Sequence, residues 1–328
     1  MKAALITGYG TPDVIRIADV AKPAPEPGEL LVRVHATSVN RTDCGELGPP
    51  LIGRLFFGIR RPRRSIFGMD VAGVVEQVGA GVARFRVGDR VFGMCPIRRN
   101  GAQAEYVCLP ESAPITTLPA SIPFAQAVIC EGAFYASATM TSLAVGPGTH
   151  ILVYGASGAI GSAGVQLAKD RGAEVTAAVE ARHLELARSL GADHVFDCAS
   201  EEFARLGERF DIVYDSVGKM TIGQWRRLLK AGGTFATTDI GPWSQSLLLW
   251  LGCQVVRSKR VMIPVPRRSS AAPFLEELRD LMAAGRYRAV IDRSYRLEQI
   301  ADAYRYVQTG RKAGIVVIVV AEEQTEGA

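Results

Sequence analysis

Val153 to Gly161, VYGASGAIG, sets a glycine-rich turn between an apolar run and an Ala-rich amphipathic stretch. That order of strand, turn and helix restricts the fold, because it opens a doubly wound parallel sheet. In the usual G-x-G-x-x-G spacing the first glycine makes the tight turn. The second lets the backbone approach a phosphate, and the third lets helix and strand touch. Here the frame is Ala156-x-Gly158-x-x-Gly161, with Gly155 immediately before it. Gly155 is expected to take over the turn, with Gly158 and Gly161 keeping their roles. Ser157, Ala159 and Ile160 complete a segment whose N–H groups, at the positive end of a helix, suit a pyrophosphate.

A dinucleotide-binding fold that opens near residue 150 leaves a long stretch before it, so a second domain is expected there. With 328 residues, 48% hydrophobic and 22% charged, the chain can bury two cores. Residues 1–120 hold short β-like runs such as ELLVRVHATSV, VAGVVEQVG and DRVFGM, cut by Gly, Pro and Asp turns. They read as a compact, mostly β domain. From residue 121 the pattern alternates: HILVYG, GSAGVQLAKDRG, EVTAAV, HLELARSLG, HVFD, FDIVYDSVG, TIGQWRRLLKAGG and TFATT. The near-continuous apolar strands match a parallel sheet covered on both faces. After residue 264 come two helices and a final strand, GIVVIVV, expected to rejoin the first domain. The division is therefore 1–120 completed by 265–328, and 121–264 for the dinucleotide.

Net charge is +5, from 38 basic and 33 acidic residues, too mild and dispersed to imply nucleic acid. Arg60 to Arg64, IRRPRR with Ile59, and the pair Arg267 and Arg268 are read as solvated loops or sites for an acidic substrate group. Met1 to Gly10 reads as a first strand rather than a signal peptide. Ser246 to Gly252, SLLLWLG, is far shorter than the ~20 residues a bilayer span needs. A soluble, cytoplasmic protein with no membrane partner is expected. Cysteines 44, 95, 108, 130, 198 and 253 contain no CxxC pair and are expected to be reduced.

Cofactor choice is read at the end of the strand after the turn, in VTAAVEARH, Val175 to His183. A carboxylate there bonds the ribose 2′-hydroxyl of NAD, whereas cations receive the 2′-phosphate of NADP. Arg182 and His183 suit the phosphate, and Glu180 between strand and cations argues for NAD. NADP, as NADPH, is favoured, with NAD the alternative.

These motifs, with SVNRTDCGELG, GMDVAGVVEQVGAGV, the DSVG turn and the closing GRKAGIVVIVV, resemble the medium-chain dehydrogenase/reductase superfamily over nearly the whole chain. Within it the sequence is similar to the zinc-independent quinone oxidoreductase branch. The resemblance implies an α/β fold of a Rossmann domain plus a GroES-like catalytic domain, NADPH as reductant, and a homodimer. It also implies that Val217, Gly218 and Ile240 contact the cofactor. Where zinc dehydrogenases carry a cysteine and a Gly-His-Glu step, this chain has Asn40 and Gly68-Met69-Asp70, and only Cys130 remains of the ligand positions. Cys95 and Cys108 are too few for a structural site. No metal is expected.

Without a Lewis acid, simple alcohol oxidation is disfavoured. The expected reaction is hydride transfer to an acceptor that spreads its own negative charge, a quinone or α,β-unsaturated carbonyl compound. By the resemblance Asn40 stands near the nicotinamide; its alternative role is that of a turn residue. Asp43 is expected to cap the helix that follows. The segment CEGAFYA departs from the branch by introducing Glu131, a candidate proton donor if buried, with Tyr135 its rival and a helix N-terminal carboxylate the plainer role. Phe56, Phe57, Phe67 and Met69, with Trp243 and Trp250 of IGPWSQSLLLWLG, are candidates for a hydrophobic acceptor pocket, against core or interface roles. Two other readings stand beside this one: a reductase dedicated to a biosynthetic enone or enoyl thioester, and a non-catalytic NADPH-binding structural or regulatory protein.

Overall fold

The computed structural model describes residues 1–49, 54, 58–96, 99, 101–207, 209–238 and 261–323. Phe56, Phe57, Ile240, Trp243 and Trp250 lie outside the described residues. Two compact units divide the chain, Met1–Glu131 with Ala272–Ala328, and Gly132–Ala271.

The first unit is built around β3 (Glu29–Val39), whose residues are buried at every position but Arg33. Such burial needs neighbours on both edges, and β3 has them: β4 (Asp70–Val78) on one side and β15 (Ile315–Val319) on the other, both antiparallel. The sheet runs β14 (Ile291–Arg296), β15, β3, β4, β5 (Arg90–Met94), β7 (Ile115–Thr117), with β6 (Tyr106–Pro110) also paired to β3. The C-terminal strand thus completes a sheet begun more than 250 residues earlier, as the pairing of Val316 with Val39 records. Leu30, Val32, Val75 and Ile115 fill one core. Val39, Leu47, Phe67 and Tyr304 fill another. β3 ends at Asn40, which starts helix α1 (Arg41–Leu47). The unit's boundary lies at Glu131, later than the 120 of the sequence reading, because the short helix Phe124–Ala127 packs on β3, β4 and β5.

The second unit carries a sheet ordered β10 (His194–Asp197), β9 (Glu174–Val179), β8 (His150–Tyr154), β11 (Phe210–Asp215), β12 (Leu229–Thr237), β13 (Val261–Met262). All its pairings are parallel. The winding reverses between β8 and β11, and such a switch point is where open α/β sheets bind ligands at their carboxyl edge. Helix α2 (Cys130–Ser142) leads into this unit, and α3 (Ala159–Asp170) follows β8. Leu152, Val213, Trp225 and Phe235 form its core, with the last two rings stacked at 4.8 Å. Among the described residues no helix is long and apolar enough to cross a membrane.

Candidate functional site

The turn after β8 sits at the switch point. Gly155 has φ +77°, a left-handed conformation that side chains disfavour, and its N–H donates to the Ala178 carbonyl at 2.9 Å. Ala156 is fully buried, so its methyl is accommodated in the place of the missing glycine. A Cβ at Gly161 would land on the Gly155 carbonyl oxygen and 2.7 Å from Ser216 Oγ. Helix and strand therefore touch only because residue 161 has no side chain. At Gly158, by contrast, a Cβ would meet nothing closer than 3.5 Å, which leaves the N-cap of α3 open. That open backbone, at the end of a helix with free N–H groups, fits a pyrophosphate.

A second turn flanks the same switch point. Asp215, buried at the end of β11, accepts from the N–H groups of Val217 (3.1 Å), Gly218 (2.9 Å) and Met220 (2.7 Å). Ser216 donates its hydroxyl to the Tyr154 carbonyl at 2.8 Å, tying this turn to the glycine turn. Val217 and Gly218 are thus fixed beside Gly155, whose added Cβ would lie 2.7 Å from Val217 Cγ1.

At the end of β9, Glu180 and Arg182 form an ion pair of 2.7 Å with both side chains more than half exposed. His183 closes the short 3-10 turn Ala181–His183. Tyr154 reaches this place from β8, hydrogen-bonded with Cys198, and burial pushes its hydroxyl above the ordinary phenol range. The sequence reading misses Tyr154 because it attends to strand ends one at a time. A cavity of about 320 Å³ lies at the opposite edge of the sheet, lined by His150, Glu174, His194 and Phe210, the first residues of their strands. It is remote from both turns.

The first unit assembles a buried polar cluster from segments far apart in sequence. Asp70, fully buried at the start of β4, accepts from Ser38 Oγ at 2.8 Å, Asn40 Nδ2 at 3.1 Å and the Glu131 N–H at 2.9 Å. Asn40 Nδ2 also donates to Ser38 Oγ at 2.9 Å. Asp43 is the third residue of α1, not its cap from outside. It reaches back to accept the Asn40 N–H at 2.8 Å and takes the Gly68 N–H at 3.2 Å. Glu131, in the first turn of α2, is 5% exposed; its Oε1 accepts the Thr42 hydroxyl, and its Oε2 is buried without a hydrogen-bond partner.

Burial disfavours charge on all these carboxyls. It pushes Asp43 up to about 7, with Glu46 and Asp70 adding to the effect. Desolvation, then the charges of Asp70 and Asp43, push Glu131 up to about 8. Asp70 is raised too, though its donors oppose the shift. Lys312 is half-buried, with its ammonium enclosed by protein and donating to the Gly314 carbonyl. Desolvation lowers it to about 8, opposed by Glu131 and Asp292. Glu131 can therefore hold a proton at neutral pH, with Oε2–H unengaged and Oε1 fixed by Thr42.

The Asn40 amide donates to Asp70, both Asp70 oxygens are occupied, and the Cys130 thiol, raised well above its ordinary range by burial, donates to the Ala127 carbonyl at 3.4 Å. Among the described residues no three His, Cys, Asp or Glu side chains gather as a metal site.

The structure thus joins Asn40 to Glu131 through Asp70. Tyr135 lies one turn after Glu131 on α2 and is half-buried. Met69 is half-buried and its carbonyl accepts the Cys95 N–H at 2.7 Å. Phe67 is 1% exposed and belongs to the core, so it is no pocket wall. Arg64 pairs with buried Glu46 and lies 4.9 Å over the Phe67 ring, which removes it from the solvated run; Arg60, Arg61 and Arg63 remain exposed. Ser38, Thr42, Asp70 and Lys312 are the cluster members that sequence reasoning assigns no role. Of these only Asp70 carries a local signal, an acid at the head of the apolar run VAGVV.

Two family models match, an alcohol dehydrogenase GroES-like domain over residues 26–120 and a zinc-binding dehydrogenase over residues 190–318. The chain is 30% identical to the 2-methylene-furan-3-one reductase of Solanum lycopersicum, over 97% of this chain and 79% of that one. It is 29% identical to the chloroplastic quinone-oxidoreductase homolog of Spinacia oleracea, over 97% and 98%. In fold it is similar to the quinone oxidoreductase from Coxiella burnetii, with a TM-score of 0.84 at 23% identity, covering 98% of this chain and 99% of that one.

Proposed function

Because the chain belongs to the medium-chain dehydrogenase/reductase superfamily, among its quinone oxidoreductase-like members, we propose that it transfers hydride from NADPH to a quinone or α,β-unsaturated carbonyl acceptor without zinc. The observation that carries this reading is Glu131, a buried acid with Oε2 unpartnered, in a cluster whose donors do not suit a metal.

When bound, the nicotinamide supplies the hydride. The chain's own residues do the rest. Ser157 to Gly161 present N–H groups to the pyrophosphate, while Val217 and Gly218, fixed by Asp215, approach from the neighbouring turn. Arg182 receives the 2′-phosphate and offsets Glu180, its ion-pair partner. Glu131 holds a proton on Oε2 and delivers it to the acceptor as negative charge develops there. Asp70 orients Asn40, and through the Glu131 N–H it fixes the first turn of α2. Tyr135 is the rival donor, and Met69 lines the acceptor side. The same proposal includes a cytoplasmic homodimer, the dimer being checked by light scattering.

Oxidation of NADPH and NADH, followed at 340 nm against a panel of quinones and enones, tests the reading. We expect turnover with NADPH, and wild-type protein that reduces no acceptor would overturn it.

A further inference from the structure

Between Glu46 and Asp70 the chain carries five arginines and no acid. That charge equals the +5 of the whole protein, so the remainder of the chain is balanced. Two of the five are engaged: Arg64 pairs with buried Glu46 and donates to the Arg99 carbonyl at 3.4 Å, and Arg54 lies 4.9 Å over the Tyr9 ring. Arg60, Arg61 and Arg63 are exposed. Beside them stands Ile59, 70% exposed, an aliphatic side chain that water does not favour.

The loop that carries these side chains is tied at both ends. Gly58 has φ +125°, and a Cβ there would land on the Arg61 carbonyl oxygen, so the chain folds back closely upon it. Its carbonyl accepts the Tyr9 hydroxyl at 2.7 Å. At the other end the Ser65 carbonyl accepts the Ile6 N–H at 2.7 Å, and Arg64 is anchored on Glu46. One apolar side chain and three guanidinium groups are therefore presented together on a fixed base.

We infer that residues 59–63 dock the protein on the surface of an anionic lipid bilayer, with Arg60, Arg61 and Arg63 against headgroup phosphates and Ile59 at the boundary with the acyl chains. Guanidinium groups bind phosphate through paired N–H donors. Nucleic acid offers the same phosphates, but its backbone gives a protruding aliphatic side chain nothing apolar to enter. A bilayer does, because its phosphates lie directly over hydrocarbon. Glu46, the acid bordering the segment, is neutralised by Arg64 and does not oppose the attraction. The sequence reading sets a membrane partner aside because no segment is long enough to span one, and among the described residues no helix is. Lying on a surface needs no span. Three cations and one aliphatic side chain make a weak, reversible association that salt screens.

Co-sedimentation of the full chain with vesicles tests this, using phosphatidylcholine alone against phosphatidylcholine mixed with phosphatidylglycerol. We expect binding to the mixed vesicles only, lost as salt is raised. The triple variant Arg60→Gln, Arg61→Gln, Arg63→Gln should bind about 100-fold more weakly, at about 5-fold per charge. Ile59→Ser should bind about 10-fold more weakly. These side chains lie outside both cores of the first unit, so each variant should melt with the wild type, which separates lost binding from lost fold. No sedimentation with mixed vesicles, or undiminished binding by the triple variant, would overturn the proposal. So would an Ile59→Ser protein that binds as well as wild type while duplex DNA competes, because the loop would then be a nucleic-acid site. The assay contains neither NADPH nor an acceptor, so its result is independent of the catalytic reading.

Discussion

The two units build their candidate sites from different materials. In the second, the site is backbone: Gly155, Gly158 and Gly161 clear space, and Asp215 and Ser216 hold two turns together with hydrogen bonds of 2.7–3.2 Å. In the first it is side chain: Asp43, Asp70 and Glu131 are buried and all raised toward neutrality. A backbone cradle recognises a phosphate through shape and N–H direction and needs no titration. A desolvated acid contributes chemistry, at a cost in stability that the cradle does not carry.

If that division holds, substitutions should separate binding from turnover. The largest effect belongs to Gly161→Ala. Its methyl meets the Gly155 carbonyl, and Ala156 Cα lies 2.8 Å away; both are backbone and cannot rotate aside. NADPH affinity measured by calorimetry should fall at least about 100-fold, nearly 3 kcal/mol. Next comes Glu131→Gln, which keeps an acceptor for Thr42 but removes the acid. We expect enone kcat to fall about 100-fold with the NADPH Kd unchanged. A matching loss of NADPH affinity would show that the two sites are not separable.

The same contrast explains what was legible in the sequence. The glycine turn lies within Val153–Gly161, and local spacing tells each residue's job. The parallel sheet is equally local, since each of its strands is a short apolar run. The carboxylate cluster draws on positions 38, 40, 42, 43, 70, 131 and 312, which only the β3–β4 and β3–β15 pairings bring together. Glu131 attracts notice because an acid interrupts CEGAFYA. Lys312 sits among Gly and Arg residues before a strand and looks like any solvated loop cation. Arg64 misleads in the opposite direction, since a run of arginines conceals one that is paired inside with Glu46.

A smaller effect sharpens the cofactor side. Glu180 holds Arg182 at 2.7 Å, and a carboxylate there opposes a dianionic phosphate. Glu180→Ser should release Arg182 and tighten NADPH about 10-fold, near 1.4 kcal/mol, with NADH unchanged or weaker. Unchanged NADPH affinity would remove Glu180 from the site.

The smallest effect is on stability, and its sign follows from proton binding. Glu131 and Asp43 have folded pKa values raised from 4.5 to about 8 and from 3.8 to about 7. Between those values the folded chain binds more protons than the unfolded one. Their contribution is therefore fully present below about pH 4 and is lost as pH rises toward 8. Lys312 runs the other way: its folded value is lowered from 10.5 to about 8, so its contribution is present above 10.5 and lost as pH falls to 8. The first unit should be least stable near pH 8. Asp193 and Asp211 of the second unit are lowered from 3.8, so what they contribute is constant above that value. Thermal unfolding followed from pH 5 to 8 should show a falling Tm, and Glu131→Gln should reduce that fall by on the order of 5 °C. A Glu131→Gln curve parallel to wild type would mean that Glu131 is ionised throughout, and the proton-donor role would go with it.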